Sequence, residues 1–265
     1  LEHEISQIRE KGISVNSDNL KLSSKATISM PWHRVQDELE EARLAKSGAA
    51  FGSTKRGIAY AYSDKFRKKT IRLGDLLHLD DVNIQSRLQT ILEAKNLELG
   101  GCYHQNAMSY PALLSWCQKQ AKLFSPYICD TGSFIDDALS QGKNVLLEAQ
   151  LGAMRDIDYG IFPYTSSSST IAAYGPIGAG IPRRHPDHVV GVLKAYSTCV
   201  GAGPFVAERA MPDSWMDSLR ESGGEYGAAT GRPRRVGPFD IVASQYGLKC
   251  QGADKIALTK LDVLS

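Results

Sequence analysis

Asn144-Val145-Leu146-Leu147-Glu148 opens the segment on which the fold turns, followed by Ala149-Gln150-Leu151-Gly152-Ala153-Met154-Arg155-Asp156-Ile157-Asp158-Tyr159-Gly160. An apolar run ending in an acid, a Gln and a Gly predicts a buried strand whose C-terminal end opens into a polar loop. In open α/β sheets that end of the strand is where ligands bind. The chain continues through Ile161-Phe162-Pro163-Tyr164 into Thr165-Ser166-Ser167-Ser168-Ser169-Thr170, six consecutive hydroxyls that suit a phosphate or a sugar. On composition alone such a run marks an ordinary solvated loop, so its neighbours must decide between the two.

Downstream the same grammar repeats. Val189 to Ala195 predicts a second strand running into Tyr196-Ser197-Thr198-Cys199-Val200-Gly201-Ala202-Gly203-Pro204-Phe205, again small residues at a strand end. Lys255 to Leu258 predicts a last strand ending in Thr259-Lys260-Leu261-Asp262. Strands alternating with longer, partly helical segments predict an α/β fold with a mainly parallel central sheet flanked by helices.

Upstream, Ile5 to Lys11 reads as an amphipathic helix closed by Gly12. Pro31-Trp32-His33 opens a clearer one, with Val35, Leu39, Ala42 and Leu44 expected on the core side and Asp37, Glu38, Glu40 and Glu41 on the solvent side. A loop is expected from Gly48 to Tyr62, and a charged, solvated run from Ser63 to Lys69. Residues 78–140 read as a helical subregion covering the sheet, with Ile84, Leu88, Ile91 and Leu92 on one face and Leu113, Leu114, Cys117 and Ala121 on another. The expectation is one α/β domain over residues 1–265. The start at Leu1 and the stop at Ser265 just after a strand-like run suggest a chain cut at both ends.

With 42% hydrophobic and 23% charged residues and a net charge of +2, the 265-residue chain has ordinary globular composition. It carries no whole-chain field to attract nucleic acid or a membrane. No apolar run approaches the roughly 18 residues of a membrane span. The five cysteines form neither a CxxC pair nor a metal-ligand cluster and fit a reducing, cytoplasmic setting.

Three short patterns point to anions. Phe51-Gly52-Ser53-Thr54-Lys55-Arg56-Gly57-Ile58 combines hydroxyls, cations and turn glycines, although it lacks the GxxxxGK[ST] spacing. Gly224-Glu225-Tyr226-Gly227-Ala228-Ala229-Thr230-Gly231-Arg232-Pro233-Arg234-Arg235 places three guanidinium forks within four residues, suited to carboxylate or phosphate. Structural salt bridging and an RNA-binding patch are the alternatives there, the latter opposed by the lack of interleaved aromatics. Lys260 and Asp262 match a guanine reader, the carboxylate accepting from the base's N1–H and amine while the Lys stem packs on the ring.

Taken together, these segments closely resemble the adenylosuccinate synthetase family. The likeness is carried by Asp156-Ile157-Asp158-Tyr159-Gly160 with Pro163-Tyr164, by Lys194 to Thr198 with Val200 to Phe205, by Gly227 to Arg235, by Leu258 to Leu264, and by Phe51 to Tyr62 with Arg72 to Leu76. The resemblance implies a P-loop-GTPase-like fold and GTP-dependent ligation of L-aspartate to inosine monophosphate (IMP) through a 6-phosphoryl-IMP intermediate. The substrates would be IMP, GTP and L-aspartate, with Mg2+, in a homodimer. A non-catalytic purine-nucleotide-binding module and a ligase acting on a 2-amino purine monophosphate are the neighbouring readings.

Carried over position by position, the resemblance assigns IMP to Thr54, Lys68, Gln150, Ser166 and Arg232, with Lys68 at the family position that reaches across a two-fold interface to the partner's substrate phosphate. Aspartate falls to Val200, Thr230, Arg232 and Arg234, and GTP to Arg234, Lys260 and Asp262. Departures are visible too: Gln150 sits one place away from the family's usual position, and Ala229, Cys199 and Pro233 replace a threonine and two arginines. The family's phosphate loop, with its catalytic base, magnesium ligand and acid, has no counterpart in these residues. The resemblance therefore assigns no catalytic residue and no metal ligand here.

Overall fold

A computed structural model describes residues 1–50, 52–148, 151–209, 211–227 and 231–264. In order they form α1 (Glu2–Glu10), β1 (Leu22–Ser23), α2 (Pro31–Ala45), α3 (Ile58–Arg67), α4 (Val82–Tyr103), α5 (Tyr110–Phe124), β2 (Ile128–Cys129), α6 (Thr131–Ser140), α7 (Gly175–Ala179), β3 (Val190–Lys194), β4 (Ser197–Cys199), α8 (Asp213–Gly223), β5 (Arg235–Gly237), α9 (Ile241–Gln251) and β6 (Lys255–Thr259). The chain divides into two compact units. The first comprises Leu1–Leu39, Tyr60–Val145 and Ala179–Ile181, and the second Glu40–Ala59, Leu146–Gly178 and Pro182–Ser265.

The first unit is helical, and local sequence starts and stops its helices. Asp81 caps α4 by accepting from the Asn83 N–H at 2.7 Å, and His104 closes it in the left-handed region. Ser109 and Pro111 open α5, and the Asp130 carboxylate caps α6 through Gly132 and Ser133. The apolar stripe read from the sequence is the observed core: Leu88, Ile91, Leu92, Leu113 and Cys117 are buried together with Met30, Trp32, Ile71 and Leu76. The short β1 and β2 pair in parallel, Leu22 with Ile128 and Ser23 with Cys129.

Helix α2 buries a different face from the expected one. Trp32, His33, Gln36 and Asp37 point inward, whereas Val35 is 38% exposed and Ala42 is also exposed. The reason is a buried polar network. The Met30 N–H donates to His33 Nδ1 at 3.0 Å, which leaves Nε2 to donate to Asp64 Oδ2 at 2.9 Å. Lys95 Nζ lies 3.0 Å from the same carboxylate, 3.1 Å from Gln36 Oε1 and 2.9 Å from Glu98 Oε2. Burial opposes the charge on Asp64, but His33 and Lys95 outweigh it and hold the carboxyl below the usual range. Paired buried polar groups can replace apolar ones at a helix interface, and an apolar-periodicity count does not see them.

The second unit holds the remaining strands. β3 and β6 run parallel in the register Val190 with Lys255 through Lys194 with Thr259, close to the expected bounds. β4 and β5 are antiparallel, Ser197 with Gly237 and Cys199 with Arg235. Asp240 caps α9 through the Ala243 N–H, and Gly252 ends it at a φ of +61°. Around β4 and β5, Tyr196, Met216, Leu219 and Val236 form an apolar core. The expected strand at Val145 to Glu148 is not in a ladder among the described residues, and Leu146 is 91% exposed. Four apolar residues give β propensity, but a strand also needs a partner's N–H and C=O groups, and β3 and β6 spend theirs on each other. The loop expected from Gly48 to Tyr62 ends earlier, since α3 begins at Ile58.

Candidate functional site

The hydroxyl loop is built on one buried acid. Asp156, with no exposed surface, accepts from the Asp158 and Tyr159 N–H groups at 2.9 and 3.1 Å through one oxygen. Its other oxygen accepts from Ser169 Oγ at 3.0 Å and the Thr170 N–H at 2.6 Å. Burial works against that charge, yet the four donors prevail and keep the carboxyl below its ordinary value. α9 braces the far side, where Gln251 pairs with the Ala172 N–H and the Thr170 carbonyl and Tyr246 donates to the Tyr159 carbonyl.

Ser166 is half-buried in this loop. Its N–H donates to the Arg155 carbonyl at 2.8 Å, and its Oγ lies 3.2 Å from Ser168 Oγ. The Arg155 guanidinium then spans to the next loop, donating to the carbonyls of Tyr164 and Val200, the latter at 2.7 Å, and to Cys199 Sγ at 2.8 Å. One arginine thereby joins Ser166 to Val200, residues that the resemblance assigns to different substrates. Beside them Gly203, at a φ of +103°, lies so close to Tyr164 that a Cβ would fall 2.6 Å from its ring. Only glycine fits there. Arg235 fixes the same loop by donating to the Gly203 carbonyl at 2.8 Å while Glu208 holds its fork at 2.5–2.9 Å.

The arginine segment folds back on residues 225–227. The Arg234 N–H donates to the Glu225 carbonyl and the Gly227 N–H to the Arg232 carbonyl, and Tyr226 bridges Pro233. At the base lies Glu225, 1% exposed. Its carboxylate accepts from Lys194 Nζ at 2.7 and 2.8 Å, Tyr196 Oη at 2.5 Å and Arg234 Nη1 at 2.9 Å. Burial again opposes the negative charge and these donors overcome it, so Glu225 stays ionised below the usual range, while burial and then Glu225 push the Tyr196 phenol well above its own.

Arg232 turns elsewhere. Its Nη2 donates to the Gly52 carbonyl at 3.2 Å, and at φ +74° a Cβ on Gly52 would meet that guanidinium at 2.9 Å. Glu41 Oε1 accepts the N–H groups of Gly52 and Ser53 at 2.6 and 3.1 Å, so the Gly52–Thr54 turn is shaped by an acid on α2 and covered by Arg232. Lys260 has a φ of +61°, and its Nζ donates to the Gly223 carbonyl at 3.0 Å. The 3-10 turn Leu261–Leu264, which carries Asp262, is anchored by Val263 against the Tyr196 core.

The structure thus brings Arg232 to the turn that carries Thr54, and Ser166 to Val200 through Arg155. It places Arg234 in an ion pair rather than leaving its fork open. Lys68 belongs to the first unit, immediately after α3. Gln150 and Thr230 lie outside the described residues. Sequence reasoning passed over Glu225, Arg155 and Glu41. Glu225 was legible as the acid four residues ahead of an arginine-bearing glycine turn, whereas nothing local signals that Arg155 spans two loops. Among the described residues, no three of His, Cys, Asp and Glu gather in an arrangement that would hold a metal ion.

An α/β chain whose strand-end loops carry hydroxyls and tethered guanidinium groups belongs to the class of proteins that hold phosphorylated and carboxylated small molecules. The sequence model of the family described as adenylosuccinate synthetase matches residues 1–265. The adenylosuccinate synthetase of Caldicellulosiruptor bescii is 43% identical over 262 residues, covering 99% of this chain and 60% of the relative. A solved structure of fully ligated adenylosuccinate synthetase from Plasmodium falciparum superimposes with a TM-score of 0.88 at 35% identity, over 99% of this chain and 60% of that one. The cyanophage S-2L succinoaminodeoxyadenylate synthetase, solved with dGMP and dATP, has a TM-score of 0.57 at 18% identity and is alike in fold alone. The chain belongs to the adenylosuccinate synthetase family, and it spans 60% of the length of the curated relatives it matches.

Proposed function

We propose that this chain supplies the IMP- and aspartate-binding loops of a GTP-dependent ligase that joins L-aspartate to IMP. The observation that carries the reading is the Arg155 link. A monophosphate-binding hydroxyl loop and an aspartate-binding loop must be held in fixed register, and one guanidinium bonds to both. Ser166 and the Gly52–Thr54 turn would face the nucleotide, and Arg232, seated on that turn, would reach both the ribose region and the aspartate. Val200 and Thr230 would complete the aspartate pocket. Arg234 would contribute positive potential to aspartate and GTP from a position fixed by Glu225, and Lys260 and Asp262 would select guanine.

The chemistry has two steps. The purine O6 takes the γ-phosphoryl group of GTP and releases GDP, and the aspartate amine then displaces that phosphate as the C–N bond forms. These loops serve such a reaction by positioning anions and neutralising charge. Mg2+ would supply charge neutralisation at the transferred phosphoryl group. The described residues gather no ligand set for it, so no step is routed through it here.

In the same reading the protein is a homodimer in which Lys68 approaches the partner's substrate phosphate. A cytoplasmic setting is part of it, consistent with five free cysteine thiols. No helix of the described residues is long and apolar enough to cross a membrane. An RNA-binding role for residues 232–235 is disfavoured, because Arg234 and Arg235 are paired with Glu225 and Glu208 instead of forming a row of open cations.

The test is a steady-state assay of the full-length protein carrying this chain, with IMP, GTP, aspartate and magnesium, following adenylosuccinate by its ultraviolet absorbance. Turnover that needs all three substrates and is lost in Arg155→Met supports the reading. Absence of adenylosuccinate formation overturns it.

A further inference from the structure

The first unit carries a hollow of about 390 Å³ between the end of α3 and the N-terminal half of α4, lined among others by Lys68, Lys69, Asn83, Ser86, Arg87 and Thr90. Every ionisable group in its lining is cationic. The two lysines leave α3 in a fixed turn, since Lys68 is left-handed at φ +60° and the Lys69 N–H donates to the Asp64 carbonyl at 2.8 Å. Neither ammonium has an ion-pair partner among the described residues. Arg87 is held from behind, its Nη2 donating to the Thr70 carbonyl at 2.8 Å.

The carboxylates nearby are largely spent. Asp64 faces inward and is paired with Lys95 and His33. Asp81 caps α4. Asp75 lies 3.8 Å from Arg87 Nη1 but also accepts from the Arg72 N–H at 2.8 Å. The positive end of the 22-residue α4 adds to the field of the three cations.

We propose that this hollow is a second anion site that binds a phosphate group, with Lys69 and Arg87 as its charged contacts and Ser86 and Thr90 as hydroxyl donors. The phosphate would come from free orthophosphate or from a purine nucleoside monophosphate, since the chemistry recognised is the same. The proposal does not rest on the ligase reading, which uses neither Lys69 nor Arg87.

The experiment is a titration of the protein with inorganic phosphate and, separately, with IMP, at constant ionic strength set with chloride. It is followed through the backbone amide resonances of Lys69, Asn83, Ser86 and Thr90, and repeated on Lys69→Gln, Arg87→Gln and the double variant. Saturable shifts are expected, weakened about tenfold in each single variant, with the core methyl resonances of Leu88 and Leu113 unchanged. A response to both ligands identifies the phosphate group alone as what is bound, and a response to IMP only identifies the nucleotide. No saturable shift with either, or unchanged affinity in the double variant, overturns the site. Phosphate binding without adenylosuccinate formation would leave it standing while sinking the ligase reading.

Discussion

Asp64 in the first unit and Glu225 in the second are both buried carboxylates, each held by a cation and by a neutral donor, but their settings differ. Asp64 meets a lysine that is itself 4% exposed, inside a packed set of helices. Glu225 meets Lys194 and Arg234, whose side chains are 27% and 28% exposed. In the first case every charge is sealed and the network replaces apolar packing. In the second the acid is sealed while its cations remain within reach of solvent and of a ligand. The same pairing therefore fixes helix geometry in one place and aims positive charge in the other.

Breaking the sealed network should have the largest effect. Lys95→Met leaves Asp64 buried without its ammonium partner, a loss of about 3–5 kcal/mol. Urea unfolding would measure it, and a cost below about 1 kcal/mol would show that water reaches Asp64 and that the contrast between the regions is false. Removing both charges in Lys95→Met with Asp64→Leu should recover most of the loss, as apolar replacement of a whole buried pair does.

Glu225→Gln should cost less, about 2 kcal/mol, because the two cations it abandons can turn toward water. It should also change the acid limb of stability. Folding depresses the carboxyl of Glu225, so its stabilisation is present above the ordinary carboxylate value of about 4 and is lost as the pH falls through the lower folded value. Asp64 and Asp156 act in the same direction. The variant should show a shallower loss below that pH, and an unchanged acid limb would remove Glu225 from the account.

How far this contrast could be read in advance depends on the range of the contacts. Leu88, Ile91, Leu92, Leu113 and Cys117 announce their burial through helical spacing, and β3 and β6 through apolar runs beside glycine loops. These are local signals. The inward face of α2 was missed because His33, Gln36 and Asp37 look like solvent-facing residues until Asp64, Lys95 and Glu98 arrive from positions 31 to 62 residues away. The predicted strand at Val145 to Glu148 failed for the complementary reason, since pairing is a property of two segments and only one was being read. At the candidate site the residue types were legible, but their division of labour was not. Arg232, Arg234 and Arg235 look alike in sequence, yet one covers the Gly52 turn, one is tied to Glu225 and one to Glu208.

That division yields the next prediction. Arg232→Lys turns a planar fork into a point charge at the only one of the three arginines without a carboxylate hydrogen bond printed by the geometry above, and it should raise the KM for aspartate about tenfold with a smaller change for GTP. Equal losses for both substrates would mean that Arg232 braces the Gly52 turn without meeting aspartate.

The smallest effect should come from Tyr196→Phe, which sharpens the comparison without destroying either network. The change removes one donor to Glu225, a 2.5 Å hydrogen bond, and keeps the ring in its core among Met216, Leu219 and Val236. The cost at neutral pH should be about 1 kcal/mol, the worth of one hydrogen bond to a charged group that keeps its other partners. Because that phenol helps to lower the Glu225 carboxyl, its removal lets the folded value rise toward the ordinary one. The acid limb should therefore begin at higher pH in the variant, and the difference from the parent protein should shrink once Glu225 is protonated in both. A pH-independent penalty would instead assign Tyr196 a packing role and leave Lys194 and Arg234 as the groups that keep Glu225 charged.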